Sequence, residues 1–261
     1  MKVFKANIDN IQTRYCLSGN PNSPKTILIL HGWGSSLDSW RSLLQMADTR
    51  ASDFNFVFFE FPGFGLTQKP PKAWQLGDFV DFSSKFLEYL QKKHSLKPSY
   101  ILCHSFGARV ATQLLSQPKH NYLAAIFLAP AIIKHELNFL QRLSKKIGPK
   151  LQFLHKFKFT SYLVKQYRRL IGAYDYNKLA GSMKQTFENV VSTNSEPFLP
   201  KIKIPILLVW GTKDVLTPVK MSKKAHMLLE NSILKVIPGM THGIHIHLPE
   251  EVFSWCLKTF K

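Results

Sequence analysis

Six short runs of almost wholly apolar residues recur along the chain, and segments with helical periodicity separate most of them. The runs cover residues 26–30, 54–59, 100–102, 122–128, 206–210 and 233–237. Strands that are apolar on both faces are typical of a parallel sheet that helices cover on both sides. Their alternation with helices predicts a doubly wound α/β fold, with a mostly parallel central sheet flanked by helices.

Amphipathic periodicity predicts helices between and after these strands. The predicted helices cover residues 39–47, 78–93, 108–116, 220–229 and 250–260. Before the first apolar run, residues 2–8 and 12–17 predict two short strands joined by the turn residues Asp9 and Asn10. In doubly wound sheets, ligands bind just beyond the carboxyl ends of the strands, so we expect the functional residues there.

Between Ala131 and Pro200 the sequence contains no strand-like apolar run. Helices are predicted there at residues 136–143, 151–164 and 176–190. Because the insertion falls between the fourth and fifth apolar runs, we expect it to project over the strand ends as a cap. The predicted domains are therefore a core of residues 1–130 and 201–261 and a helical cap of residues 131–200.

The chain is strongly basic, with 35 Lys and Arg against 16 Asp and Glu and a net charge of +19. Such a surface attracts anions. No arginine-rich tail or recognised nucleic-acid motif accompanies the charge, so we expect no nucleic-acid partner. No stretch approaches the ~18 apolar residues that a membrane span requires, so no span is expected.

The cysteines and the first residues bear on the compartment. Cys16, Cys103 and Cys256 are odd in number, widely scattered and without metal-ligand spacing. The first residues lack the apolar run of a secretory signal. These features predict a reducing, cytoplasmic compartment.

A candidate nucleophile, Ser105, lies between the third apolar run and a predicted helix, in Cys103-His104-Ser105-Phe106-Gly107. A tight strand-to-helix turn exposes a serine hydroxyl and places the next backbone N–H at a helix N-terminus. Gly107 meets the need for a small residue two places after the serine, whereas Cys103 stands where glycine is usual. The alternative is that Ser105 only caps the helix.

The chain resembles the α/β-hydrolase superfamily in three motifs: His31-Gly32-Trp33-Gly34, Pro62-Gly63-Phe64-Gly65 and His104-Ser105-Phe106-Gly107-Ala108-Arg109. The resemblance implies that the backbone N–H groups of Trp33 and Phe106 form an oxyanion hole. Both residues are also expected to contact substrate, with the Trp33 side chain as an apolar wall. The resemblance further implies that His31 and His104 shape turns and are not catalytic.

A serine hydroxyl needs a neighbouring base, and the base needs an orienting acid. Asp214 ends the turn Trp210-Gly211-Thr212-Lys213-Asp214 after the fifth apolar run, and this fold gives the chain order Ser, Asp, His. We therefore predict Asp214 as the acid. The alternatives are Asp175, which lies in the predicted cap, and Glu60, which follows the second run.

His242 follows the sixth apolar run and is the predicted base. His245 and His247 are close enough in sequence for a shift of three residues to exchange the roles. The resemblance favours His242, because Pro249 and the helix after it lie at the family's usual distance downstream. His245 and His247 are then expected beside the base or at the pocket rim.

The three histidines could instead bind zinc. That alternative would leave Ser105 and Asp214 unexplained, so no metal is predicted.

A serine nucleophile on this turn predicts acyl transfer to water. We expect a carboxylic-ester hydrolase that acts on a small-molecule acyl ester through an acyl-enzyme, with no cofactor. A thioesterase or a C–C bond hydrolase would use the same triad. A non-catalytic small-molecule receptor on this fold is a further alternative.

The predicted cap contains twelve Lys and Arg against four Asp and Glu. Aromatic residues interleave with these charges: Phe153, Phe157, Phe159, Tyr162 and Tyr167. The oxyanion loop and the cap resemble those of the methyl esterases that act on pimeloyl groups attached to acyl carrier protein. Because carrier proteins are acidic, an acyl carrier protein is an expected partner; the alternative is an ordinary amphipathic cap.

Overall fold

The computed structural model describes residues 1–50, 53–118, 120–134 and 181–260. Its strands are β1 (Lys2–Ile8), β2 (Ile11–Gly19), β3 (Thr26–Leu30), β4 (Asn55–Phe59), β5 (Tyr100–His104), β6 (Ala124–Leu128), β7 (Ile206–Gly211) and β8 (Ser232–Ile237). They form one sheet in the order β1-β2-β4-β3-β5-β6-β7-β8. The six strands β4-β3-β5-β6-β7-β8 pair in parallel, whereas the pairings that involve β1 or β2 are antiparallel. The predicted fold class is confirmed.

Helices cover both faces of the sheet. Those within the described ranges are α1 (Leu37–Thr49), α2 (Leu76–His94), α3 (Phe106–Leu115), α4 (Ser182–Ser192), a 3₁₀ helix (Glu196–Lys201), α5 (Lys220–Leu228), α6 (Ile244–His247) and α7 (Pro249–Thr259). One apolar cluster joins the sheet to α2, α3 and α5, and a second joins it to α1 and α7. Every residue of β3, β4, β5 and β6 is therefore buried, as their apolar sequences require.

The N-terminal strands form a hairpin beside β4. Asp9 and Asn10, the two turn residues, have φ values of 52° and 63°. Asp and Asn adopt this left-handed region more readily than other residues with a side chain, which suits a two-residue hairpin turn. β2 then pairs with β4 and extends the sheet on the side away from β8.

The described part of the predicted cap is α4 and the residues that flank it. α4 overlaps the predicted helix 176–190, while the predicted helices 136–143 and 151–164 lie outside the described residues. Thr186 of α4 accepts a hydrogen bond from the Trp74 backbone N–H at 2.9 Å. Arg109 of α3 donates to the carbonyls of Val190 (3.3 Å) and Thr193 (2.6 Å) at the other end of the helix. α4 is thus tied to the loop after β4 and to the helix that follows Ser105.

Within the described ranges, no helix combines the length and the apolar character needed to cross a bilayer.

Candidate active site

Ser105 occupies the single residue between β5 and α3. Its backbone has φ 50° and ψ −111°, which is unusual for a residue with a side chain. Its N–H donates to the Leu128 carbonyl at 3.0 Å, and its carbonyl accepts from the Ala131 N–H at 3.1 Å. Such backbone geometry costs about 1–3 kcal/mol and persists only where neighbours impose it. Here the end of β6 and the residues just after it hold the serine in the turn.

Close packing around this turn explains its glycines. A Cβ on Gly107 would lie 2.0 Å from the Leu30 carbonyl oxygen, so only glycine lets α3 approach the end of β3. A Cβ on Gly32 would lie 3.4 Å from the Ser105 Cβ, which places the loop after β3 against the serine.

Cys103, in the place where glycine is usual, is tolerated because its side chain is buried and its Sγ lies 3.6 Å from the Ile126 carbonyl. Burial raises the pKa of this thiol well above its ordinary value, so it stays protonated and is a poor nucleophile.

The structure brings Ser105, His242 and Asp214 into one chain of contacts. The Ser105 Oγ lies 2.9 Å from His242 Nε2, and His242 Nδ1 lies 2.8 Å from Asp214 Oδ2. The Asp214 side chain is fully buried, whereas 17% of the His242 side chain is exposed. The imidazole therefore bridges a buried carboxylate and a half-buried hydroxyl.

The residues that follow Asp214 hold its carboxylate in place. Its Oδ1 accepts the backbone N–H groups of Leu216 and Thr217, both at 2.9 Å. Its Oδ2 accepts the Thr217 hydroxyl at 2.8 Å in addition to His242. Four donors therefore hold the carboxylate in one orientation.

Glu60, the alternative acid, serves other partners. Its carboxylate accepts the backbone N–H of Leu37 at 2.9 Å and that of Leu66 at 2.7 Å, and it lies 3.4 Å from Arg14 Nη1. Glu60 thus joins the start of α1 to the loop after β4 and makes no hydrogen bond to His242. Asp175, the other alternative, lies outside the described residues.

His31 and His104 both join loops through their rings. His31 Nδ1 donates to the Gly32 carbonyl at 2.8 Å, and the Phe61 N–H donates to Nε2 at 2.9 Å. His104 Nε2 donates to the carbonyl of His242 at 2.9 Å, which fixes the backbone of the predicted base. Burial lowers the pKa of His31 to about 4 and that of His104 well below its ordinary value, so both rings stay neutral near pH 7.

His245 and His247 both lie in α6 but differ in burial. The His245 ring is buried, stacks on Trp40 with centroids 4.2 Å apart, and lies 4.4 Å from the His104 ring. Burial lowers the pKa of His245 to about 3. His247 is exposed. In the part of the chain that the structure describes, no group of three side chains could hold a metal ion.

Aromatic rings surround the predicted oxyanion hole. Phe106 begins α3, and the N–H of a first helical residue has no partner within its own helix. The Trp33 ring lies 4.8 Å from Phe64, 5.5 Å from Phe106 and 5.1 Å from Phe187 of α4. The Trp33 and Phe106 rings therefore form part of an apolar wall, while the role of their N–H groups in an oxyanion hole stays a prediction.

The family model described as serine aminopeptidase, S33, matches residues 21–248. The chain belongs to this family. It is a serine hydrolase of the esterase and lipase type on the α/β-hydrolase fold.

Three similar proteins illustrate the range of this hydrolase fold. Human monoglyceride lipase is 24% identical over 92% of the chain and 82% of its own length. The acetyltransferase component of the acetoin cleaving system of Cupriavidus necator is 26% identical, but over only 48% of the chain and 31% of that protein. The malate-bound esterase of Thermogutta terrifontis superposes with a TM-score of 0.70 over all of both chains at 15% identity, which shows the fold alone.

Sequence reasoning missed Thr217, whose hydroxyl contacts both Asp214 and His242. The available signal was its place three residues after the predicted acid, where Ser and Thr often bond to an Asp at the start of a turn.

Proposed function

We propose that this protein hydrolyses a carboxylic ester, with Ser105 as nucleophile, His242 as general base and Asp214 as the acid that orients His242. The observation that carries the proposal is the pair of contacts made by the His242 ring. Its Nε2 lies 2.9 Å from Ser105 Oγ, and its Nδ1 lies 2.8 Å from Asp214 Oδ2. A hydroxyl within hydrogen-bond reach of a base that a third group orients is the arrangement that nucleophilic catalysis requires. The name of one similar protein, monoglyceride lipase, agrees with an ester as substrate.

In the first half-reaction, Ser105 Oγ attacks the ester carbonyl carbon while His242 Nε2 takes the hydroxyl proton. Asp214 stabilises the imidazolium that forms. The carbonyl oxygen becomes an oxyanion and accepts hydrogen bonds from the N–H groups of Trp33 and Phe106, which are worth about 3–4 kcal/mol each in the transition state. His242 then gives the proton to the alkoxide oxygen, and the alcohol leaves an acyl-enzyme on Ser105.

In the second half-reaction, a water attacks the acyl carbon and gives its proton to His242 Nε2. The oxyanion forms again at the same N–H groups, and its collapse breaks the bond to Ser105 Oγ. The proton returns from His242 to the serine, and the carboxylic acid leaves. No cofactor enters these steps.

The aromatic wall favours an apolar acyl or alcohol group. The Trp33 ring packs edge to face against Phe64, Phe187 and Phe106, and Phe106 follows the nucleophile in the chain. A thioester, an amide or an activated C–C bond would be cleaved by the same steps with a different leaving group. The Asp–His–Ser contacts are alike for all of these, so substrate assays must separate them.

A fluorophosphonate probe, mapped by mass spectrometry, tests the nucleophile. We expect one label on Ser105, its loss in Ser105→Ala, and normal labelling in the control Ser84→Ala, which changes a serine of α2 that bonds only to its own helix. Turnover of p-nitrophenyl esters of increasing acyl length then tests the substrate class. Labelling at another residue, or labelling of Ser105 without turnover of any ester, would contradict the proposal.

We propose an acidic acyl carrier protein as a partner that presents the acyl group. The proposal rests on charge alone: twelve Lys and Arg against four Asp and Glu between residues 131 and 200. Lys145→Glu with Lys146→Glu is expected to lower kcat/KM for an ester linked to a carrier protein and to spare a p-nitrophenyl ester. An equal effect on both substrates would exclude a carrier-specific role for these lysines.

A further inference from the structure

Thr217 lies in the loop between β7 and α5, three residues after Asp214, and only 6% of it is exposed. Its Oγ1 lies 2.8 Å from Asp214 Oδ2, the oxygen that also lies 2.8 Å from His242 Nδ1. The same Oγ1 is 3.4 Å from His242 Nδ1. One hydroxyl therefore touches both the acid and the base.

The direction of this hydrogen bond follows from the atoms available. A hydroxyl has one hydrogen to donate, and a carboxylate can only accept. The other acceptor near Thr217 Oγ1 is the Ala129 carbonyl, at the longer distance of 3.3 Å. Because bonds to an ionised acceptor are shorter and stronger, the hydroxyl donates to Asp214 Oδ2. That oxygen thus receives two hydrogen bonds.

The rest of Thr217 is fixed independently of its hydroxyl. Its backbone N–H donates to Asp214 Oδ1 at 2.9 Å, and its carbonyl accepts from the indole Nε1 of the buried Trp210 at 2.6 Å. A β-branched side chain also has few χ1 rotamers. The hydroxyl is therefore aimed at Asp214 before any substrate arrives.

We propose that Thr217 is a positioning residue that fixes Asp214 against His242 and sets the pH at which His242 becomes able to accept the proton of Ser105. This inference rests on the proposed catalytic roles of Ser105, His242 and Asp214. It assigns to the threonine a part in proton transfer that a merely structural residue would not have.

The physical effect has two parts. A second donor on Oδ2 offsets part of the negative charge that the imidazolium of His242 feels. Without this donor, protonated His242 is more stable and persists to higher pH, so activity is lost at a higher pH as the solution is acidified. Loss of one of four donors also leaves Asp214 less firmly oriented, which lowers the rate at every pH.

The other titratable groups that face His242 among the described residues do not produce such a shift. The centroid of the His104 ring in β5 lies 4.7 Å from that of His242. The centroid of the His245 ring in α6 lies 4.4 Å from that of His104. Burial holds the pKa of His104 well below its ordinary value and that of His245 near 3. Both rings are therefore neutral near pH 7, and Asp214 is the carboxylate that contacts His242.

The test compares Thr217→Val, which keeps the shape and removes the hydroxyl, with Thr217→Ser, which keeps the hydroxyl. Thr13→Val is the matched control, because Thr13 is also buried and its hydroxyl donates to the Ile11 carbonyl in β2. The second-order rate constant for fluorophosphonate labelling of Ser105 is measured from pH 4.5 to 9, together with kcat/KM for a p-nitrophenyl ester and Tm.

For Thr217→Val we expect the plateau rate to fall about tenfold and the acid limb of the profile to move to higher pH by about 0.5–1 unit. Thr217→Ser is expected to keep the wild-type acid limb and to lose less than about threefold in rate, and Thr13→Val is expected to keep both. Should Thr217→Val not fold, Thr217→Ala, which also lacks the hydroxyl and adds no bulk, is measured instead.

An unmoved acid limb in the variants that lack the hydroxyl would overturn the inference, even if Tm and rate fell. The same shift in Thr217→Ser would assign the effect to packing and overturn it equally. The labelling rate needs no knowledge of the substrate. A wild-type protein that labels at Ser105 but hydrolyses no ester therefore contradicts the proposed function alone, whereas absence of labelling contradicts both.

Discussion

The turn that holds Ser105 and the turn that holds Asp214 both follow strands of one sheet, yet different forces hold them in place. The Ser105 turn is set by backbone shape: a φ of 50° and a glycine whose absent Cβ leaves room for the Leu30 carbonyl. The Asp214 turn is set by hydrogen bonds, two from its own backbone and two from the side chains of Thr217 and His242.

This difference indicates how each turn would fail. A change of shape at the Ser105 turn forces backbone atoms apart, and the sheet and α3 must then separate. A change of hydrogen bonding at the Asp214 turn leaves the chain path intact but alters the imidazole. The first kind of change should damage folding, and the second should damage chemistry.

The largest effect is expected for Gly107→Ala. Its Cβ would meet the Leu30 oxygen at 2.0 Å and the His31 oxygen at 2.7 Å, both of the backbone, so no side chain can move to relieve the clash. We expect a loss of more than about 4 kcal/mol in the free energy of unfolding, measured by urea titration, and little soluble protein. A stable, labelled Gly107→Ala protein would show that shape does not hold the Ser105 turn.

Asp214→Asn should spare folding and remove activity. The amide keeps the size of the carboxylate and an oxygen for the N–H groups of Leu216 and Thr217, but it offers a donor where His242 needs an acceptor. The imidazole then adopts the wrong tautomer, and we expect kcat to fall about 10⁴-fold. Circular dichroism and Tm check that the fold persists. A fall in Tm as large as that of Gly107→Ala would remove the contrast between the two turns.

His245 packs against His104, the residue before Ser105, and makes the stability of this region depend on pH. The folded protein lowers the pKa of His245 from 6.5 to about 3, whereas the unfolded chain takes up the proton near pH 6.5. Stability is therefore lost as pH falls from about 6.5 towards 3, and His245 alone costs about 2 kcal/mol at pH 5. His31 and His104, whose pKa values are also lowered, add to this loss.

His245→Leu isolates this contribution. Neither ring nitrogen of His245 has a hydrogen-bond partner among the described residues, so an apolar side chain should cost little at pH 7.5. We expect the variant to gain about 2 kcal/mol over the wild type between pH 7.5 and pH 5, as measured by urea unfolding at each pH. A difference that stays constant with pH would show that His245 is not held neutral.

The smallest effect is expected for Gly77→Ala, which is the control for Gly107→Ala. Gly77 lies in the first turn of α2, is exposed, and a Cβ there would meet nothing within 4 Å. Alanine favours the helix, so we expect a gain of about 0.5–1 kcal/mol in unfolding free energy, read from the urea midpoint. A loss there would indicate that glycine substitutions destabilise this protein for reasons other than close packing.

The fold class and the positions of Ser105, Asp214 and His242 could be predicted because each depends on local pattern. A serine on a strand-to-helix turn, an aspartate after the buried strand β7 and a histidine after β8 lie at one edge of a parallel sheet whatever the details of packing. The sixth apolar run, however, forms an edge strand whose residues are half-buried or exposed, so its prediction as a buried strand was wrong. Asp214 and Glu60 both follow buried runs, so position after a strand does not by itself separate them. Only the contacts of Glu60 with Leu37 and Leu66 show that it serves a different pair of loops.

Sequence by itself thus determined where strands and helices form and which strand ends carry reactive groups, since burial and periodicity are properties of neighbouring residues. Tertiary structure alone decided which groups touch. Ser105 and His242 are 137 residues apart, and packing brings the Thr217 hydroxyl and the His104 ring to His242 and the His245 ring to His104. The physical reason is that side-chain hydrogen bonds extend only about 3 Å, so they depend on a geometry that no local stretch of chain encodes.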